Sequence, residues 1–411
     1  MMSITDRYPA LGFSLYRRYW LASLGSVGGW QIAAVAMGWL VFDLSGSALD
    51  LGILGAAMAL PAIIMTIIGG VIADRFEKRS VLLTTTSLHV LFLVLLVCLD
   101  ILDRISVAQI WLVAAAISTV SGIDWPTRQA FFPHLIDQNA LLSAVALNSV
   151  LWQLTRMVVP AVAGLLIAVY DTALIFALAA MGYGVMLAVL LQIRLRLPGT
   201  QGTSPLEQIM EGLRFIAVNP LFRNLILLCY ATMLFLSAYQ QLMPAFAELL
   251  GAGPKGFGLL MSVSGIGSIA GTVISGAIKP GALYGKYMLG AAALAVVMLS
   301  AFAVSTMLPS YRLALLFVLM AAACMSVFLI LSATALQAEV PGELRGRVLG
   351  IHGITYSLMP LGALLIGALA EVYGTPQGML MGLASYTFIW LGMGSSASLK
   401  QLEQPHGGTV L

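Results

Sequence analysis

Charge is what this sequence has least of. Only 9% of its 411 residues are Asp, Glu, Lys or Arg, against about a quarter in an ordinary soluble domain. Hydrophobic residues make up 60% and the mean hydropathy is +0.98. Apolar runs this long, with no polar face, have only lipid to face, which excludes a soluble globular chain. The formal net charge is +3, with basic residues scattered between the apolar runs, so no nucleic-acid partner is expected. Cysteine is scarce too. Cys98, Cys229 and Cys324 lie in separate apolar segments without metal-ligand spacing, which excludes a disulfide framework and a zinc site.

Other absences bear on energy source and chemistry. A phosphate-binding loop needs G-x-x-x-x-G-K-[ST]. The nearest run, Gly281 to Tyr287, has three residues between its glycines and Tyr after the Lys. Direct use of ATP is not expected. No intramembrane His/Asp/Glu constellation and no nucleophile–base spacing appears, so an enzyme is not expected, nor a cofactor or a metal. Arg17-Arg18 precedes an apolar stretch, as in a twin-arginine signal. That stretch runs from Tyr19 to Phe42, beyond the roughly 7–15 residues of a cleavable segment.

What is present is a succession of apolar runs. A membrane helix needs roughly 20 such residues. Breaks at charges, Pro and Gly predict spans near 19–42, 50–73, 80–99, 106–129, 140–169, 172–193, 221–248, 257–279, 286–307, 311–337, 344–370 and 376–397. With both termini inside, 16 of the 20 Lys and Arg, Arg128 and Arg79 among them, fall in cytoplasmic segments. Arg104, Lys255 and Arg312 fall outside, and Arg156 lies within a span. This bias is the positive-inside pattern.

The longest break in hydrophobicity, 194–220, opens with Pro, Gly, Ser and Thr and becomes amphipathic from Pro205 to Val218. It reads as a flexible linker leading into an interfacial helix. Three regions follow: an N-terminal six-helix half (1–193), the linker (194–220) and a C-terminal six-helix half (221–411). A repeat agrees with this division. The stretch Trp152 to Ala168 lies on His352 to Ala368 at a constant offset of 200, with Pro160 on Pro360. The expected fold is an all-α membrane protein of twelve helices in two pseudo-repeat halves.

The loop between spans two and three reads Gly69-Gly70-Val71-Ile72-Ala73-Asp74-Arg75-Phe76-Glu77-Lys78-Arg79. It is similar to the loop signature of the major facilitator superfamily, where glycine precedes an Asp-Arg pair and further basic residues. Three other segments resemble the bacterial secretion-effector branch that includes enterobactin exporters. They begin at Gly28 ("GGWQIAAVAMGWLVFDLSGSALDLGIL"), Asp124 ("DWPTRQAFFPHLI") and Leu336 ("LQAEVPGELRGRVLGI"). The resemblance implies a conformational latch of Gly70, Asp74, Arg75, Arg79 and Asp124. Asp74 would lie near the start of span eleven, and Arg75 and Arg79 close to Asp124. The corresponding second-half loop, 276–286, lacks the Asp-Arg pair.

Arg156 is the only Lys or Arg expected well inside the membrane, where a charge needs a wet cavity or a partner. Asn148, Trp152 and Arg156 recur at i, i+4 and i+8 on one helix face. The repeat sets His352 against Trp152 and Tyr356 against Arg156. With Trp30 and Gln31 on span one and Tyr239 and Gln240 on span seven, these residues form the expected substrate site. The neighbouring Gln241 is a further polar group at useful depth. Each also has a packing reading, since amides bond between helices. His352 is the candidate for proton coupling. His89, mid-span on the third helix, reads as packing. Gly25-x-x-x-Gly29, Gly267-x-x-x-Gly271 and Gly378-x-x-x-Gly382 read as close helix contacts within one chain, hence a monomer.

The resemblance implies secondary active export of a small, partly anionic organic molecule of siderophore type. The expected location is the bacterial inner membrane, with the lipid bilayer as surroundings and protons as the candidate coupling ion of an antiporter. Multidrug efflux and lysophospholipid movement are the alternatives within transport. A non-transporting receptor or scaffold is the alternative outside it.

Overall fold

The structure, a computed structural model, describes residues 8–195, 205–278, 284–308, 310–341, 344, 348 and 351–394. All regular elements among them are helical. Among the described residues, ten helices are long and apolar enough to cross a membrane. Leu141–Ile167 and Thr375–Gly394, where spans five and twelve are expected, are helices of 27 and 20 residues outside that set of ten. Large apolar side chains are exposed in mid-helix, Leu112 at 71% and Phe388 at 82%. Exposed apolar surface at such positions is what lipid contact requires.

The chain forms two compact units, one of residues 1–45 and 57–205, the other of 46–56 and 206–411. The first holds α1 (Ser14–Ser45), most of α2 (Ala48–Arg75), α3 (Lys78–Ile101), α4 (Val107–Phe131), α5 (Leu141–Ile167) and α6 (Thr172–Gln192). A reciprocal capping box between Ser106 and Gln109 starts α4 and satisfies backbone donors that lipid cannot. Helices α1 and α6 approach closely because glycine leaves room: a Cβ on Gly29 would stand 2.8 Å from the Ala179 carbonyl oxygen. Tyr16 donates from its hydroxyl to the Ala144 carbonyl (3.0 Å) and Trp20 from Nε1 to that of Leu147 (3.0 Å). These bonds tie α1 to α5 around a core that includes Tyr19, Leu82, Phe131 and Met186.

The second unit holds α7 (Pro205–Val218), α8 (Pro220–Ala231), α9 (Met243–Leu249), α10 (Gly253–Ala277), α11 (Tyr284–Met307), α12 (Tyr311–Glu339), α13 (Leu358–Tyr373) and α14 (Thr375–Gly394). Span seven, expected as one helix over 221–248, is broken. A π turn at Thr232–Leu236 and a 3-10 turn at Ser237–Gln240 separate α8 from α9. Pro244 accounts for the break, since its ring clashes with the carbonyl four residues back and it has no N–H to donate. Span eleven similarly has a 3-10 turn, Ile354–Ser357, before α13, just ahead of Pro360. Its repeat mate Pro160 instead lies within an uninterrupted α5. The repeat in sequence is therefore not a repeat in backbone conformation. The glycine pairs are filled by helices of the same chain: Gly25 and Gly29 meet Gly182 and Ala179, while Gly267 and Gly271 meet Leu319 and Ala323.

Candidate functional site

In the first unit two helical i, i+4 pairs meet. Asn148 and Trp152 on α5 oppose Gln129 and Trp125 on α4. The two indoles make an edge contact, centroids 4.7 Å apart at 88°, and Asn148 Nδ2 donates to Gln129 Oε1 at 3.4 Å. Trp125 and Gln129 are not among the expected site residues, although the spacing that singles out Asn148 and Trp152 is also theirs. The resulting face is only partly buried and offers two large rings with two amides. Trp30 is half-buried on α1. Gln31 is buried and donates from Nε2 to Thr155 Oγ1 (3.0 Å), so it joins α1 to α5. Arg156 is on α5, and its side chain lies outside the described residues.

Helix α4 also carries a buried polar network. Asp124 is 7% exposed and Arg128, one turn on, 8%. They form the single ion pair among the described residues, through Arg128 Nε and Asp124 Oδ2. Thr85 Oγ1 donates to the other carboxylate oxygen at 2.6 Å. Arg128 Nη1 donates to Ser26 Oγ at 3.1 Å, and Arg128 Nη2 is buried without a partner among the described residues. His89 Nδ1 donates to the Thr85 carbonyl (2.8 Å) and its Nε2 lies 2.9 Å from Ser121 Oγ. A carbonyl only accepts, so the neutral ring carries its proton on Nδ1 and accepts from Ser121. The ring also stacks on Tyr183, centroids 4.5 Å apart and 7° from parallel.

This network corrects two expectations. Asp124 pairs with Arg128, not with Arg75 or Arg79, and Arg128, counted among the cytoplasmic basic residues, is a buried side chain in the last turn of α4. The first follows from helix geometry, which brings residues four apart together on one face. Arg79 instead donates from Nε and Nη2 to the Leu190 and Leu191 carbonyls (3.2 Å each), where cations suit the C-terminal end of α6. Arg75 is exposed. A Cβ on Gly70 would meet open space. The Asp74 side chain, the loop at 279–283 and residues 345–347 lie outside the described residues.

A mostly apolar cavity of about 420 Å³ reaches this network from the α2–α3 corner, walled by Ile72, Phe76, Leu88 and Ile123 among others, with Glu77, Ser80, Thr84 and Thr85 as its polar residues. Ser80 donates to Glu77 and Thr84 to the Ser80 carbonyl (3.0 Å). A hydroxyl-lined stripe thus runs along α3 to Thr85.

In the second unit the expected residues take different roles. Tyr239 is 1% exposed, its hydroxyl 3.1 Å from Ser264 Oγ and its ring against Phe302. Gln240 is half-buried. Gln241 Oε1 is buried without a partner among the described residues. His352 is buried with Nδ1 3.4 Å from Thr355 Oγ1. Tyr356, one turn on, is 41% exposed. Tyr230 donates to the Ile351 carbonyl (2.8 Å) and steadies the start of this segment. No group of three or more His, Cys, Asp or Glu side chains able to hold a metal occurs among the described residues.

Residues 6–404 match the protein family described as transmembrane secretion effector. The chain is 25% identical over 400 residues to the staphyloferrin A transporter of Staphylococcus aureus, covering 93% of this chain and 96% of that protein. It is 27% identical to the multidrug efflux pump Tap of Mycolicibacterium fortuitum, over 86% and 88% of the two chains. To an enterobactin exporter of Escherichia coli it is 24% identical, over 90% and 88%. Among solved structures it resembles a bacterial homologue of the human lysosomal transporter Spinster, with a TM-score of 0.74 over 96% of this chain and 98% of that one. At 15% identity that likeness concerns the fold. With apolar helices along its length and a match over nearly all of its residues, this multi-pass membrane chain belongs to the transmembrane secretion effector family of major facilitator transporters and is a transporter, not an enzyme.

Proposed function

We propose that the chain exports a small, partly anionic organic molecule of siderophore type across the bacterial inner membrane by alternating access. In this reading twelve spans form two halves of six, both termini are cytoplasmic, the monomer is the working unit and protons drive exchange. The observation that carries it is the half-open face of Trp125, Gln129, Asn148 and Trp152 on α4 and α5. Rings and amides of this kind suit a flat, oxygen-rich ligand. Arg156 follows Trp152 by one turn in sequence, and a guanidinium is suited to bidentate contact with carboxylate or catecholate oxygens. His352 and Tyr356 supply the second unit's share, and His352 is a coupling group within it. The latch through Gly70 and Asp74 remains part of this reading. Arg75 stands near it in sequence, and Asp124 enters through Arg128. The resemblance to a staphyloferrin A transporter and an enterobactin exporter lends support.

Multidrug efflux is the second reading, favoured by the partly exposed indole pair and by the resemblance to an efflux pump. Thermal-shift screening of purified protein against siderophores, cationic drugs and lysolipids separates the two, followed by liposome transport of any hit. The siderophore reading expects Arg156→Lys to weaken affinity for the hit and Arg156→Gln to weaken it further. It also expects His352→Gln to lose the pH-driven part of transport while binding persists. Stabilisation by drugs alone, or normal affinity in Arg156→Gln, overturns it.

A further inference from the structure

One arrangement exceeds what a latch requires: a buried carboxylate and guanidinium within the first unit, beside a largely apolar cavity whose wall carries Glu77, Ser80, Thr84 and Thr85. Breaking even with a well-packed apolar pair is the usual outcome for a buried ion pair, so stability alone is weak cause for one. Ionisable groups within a membrane helix are retained for function as a rule, proton relays among them. Here the geometry adds a route. The cavity is bounded near its loop end by Glu77 and Ser80 and at depth by Thr85. The Thr85 hydroxyl is at once a wall of that cavity and the donor to Asp124 Oδ1. Asp124 itself is closed off from solvent, so Thr85 is the point where the carboxylate meets the cavity.

We propose that Asp124 is a proton-binding site of the transport cycle and that the cavity at the α2–α3 corner is its aqueous entry. This deepens the transport reading and rests on it, at a site distinct from His352. The step balances simply. A hydronium ion in the cavity gives a proton to Thr85 Oγ1 as the threonine passes its own to Asp124 Oδ1. Water, an intact threonine and a neutral carboxylic acid result. Arg128 then loses its anionic partner and keeps Ser26 Oγ as its neutral contact, so the buried cluster gains one positive charge. The groups facing Asp124 are Thr85 and His89 on α3, Arg128 on its own helix, and Ser26 with Tyr19 on α1; Tyr183 on α6 feels the same charges. His89 is a positioning residue. By bonding the Thr85 carbonyl and Ser121, it holds the relay threonine between cavity and carboxylate.

The test needs no transported substrate. Purified full-length protein in detergent is acidified, and infrared difference spectra follow the C=O band of a protonated carboxyl group. Proton uptake is timed by stopped flow with an indicator dye. The wild type shows the band, and Asp124→Asn loses it. Thr85→Val keeps the extent of uptake but slows it at least about tenfold, in line with loss of a positioned proton-transfer group; Thr85→Ser restores the rate. An unchanged band in Asp124→Asn, or wild-type uptake in Thr85→Val, overturns the proposal. Should Asp124→Asn not fold, the two Thr85 variants decide alone. A protein that binds this proton yet moves no solute in liposomes removes the transport reading and keeps the proton site, so the two failures are told apart.

Discussion

Asp124 and Arg128 stand one turn apart in α4, and each is the other's charge partner. Removing one side of a buried pair leaves an uncompensated charge, which costs about 3–5 kcal/mol. Arg128→Met should therefore lower the thermal stability of the purified protein sharply. Adding Asp124→Asn should recover most of that loss, since two neutral side chains of similar shape leave no charge behind. A double variant no more stable than Arg128→Met would show that the arginine acts through packing alone. This pair was legible in the sequence, in the Asp-Trp-Pro-Thr-Arg run from Asp124 to Arg128. Reading every basic residue near a span end as a topology signal hid it. His89 and Thr85 have the same four-residue spacing on α3. Their link to Asp124, however, joins residues 39 apart, and no local pattern announces such a contact.

At the scale of the helix, length and apolarity located most spans because lipid imposes both requirements on the chain itself. Proline was a poorer guide. Pro61, Pro126 and Pro160 all lie inside continuous helices, whereas Pro244 and Pro360 adjoin irregular turns. Whether a freed carbonyl is tolerated depends on the neighbours that satisfy it, and these are set by tertiary packing. Glycine spacing told more. Gly29 sits where α1 meets the backbone of α6, so Gly29→Leu forces the helices apart and should destabilise the protein by about 1–3 kcal/mol or more. Gly38, on the same helix, has open space where its Cβ would stand. Gly38→Leu is the matched control, and thermal unfolding of the two variants side by side checks the difference. Equal stability would mean that α1 and α6 are not in close contact.

For the whole molecule, the proposed orientation rests on the asymmetry of Lys and Arg. In a cysteine-free background, Arg104→Cys should react with a membrane-impermeant thiol reagent added to intact cells or spheroplasts. Arg194→Cys should react only after permeabilisation. The reverse pattern would invert the proposed orientation.

The division of α2 also bears on how the chain tolerates being cut. Its first turns, residues 48–56, fold with the second unit, while its remainder folds with the first. Gly52 lies so near the α13 backbone that a Cβ there would stand 2.6 Å from the Leu364 Cα, and a Cβ on Gly55 would stand 2.8 Å from the Pro360 carbonyl oxygen. A nick in the 194–220 segment therefore does not yield a pair of self-sufficient pieces. The N-terminal fragment carries away a short stretch of helix whose complement is on the other polypeptide. Synthesised separately in one cell, the fragments should find each other through that stretch and co-purify. Widening Gly52 and Gly55 to leucine should leave each fragment in the membrane but abolish their reunion.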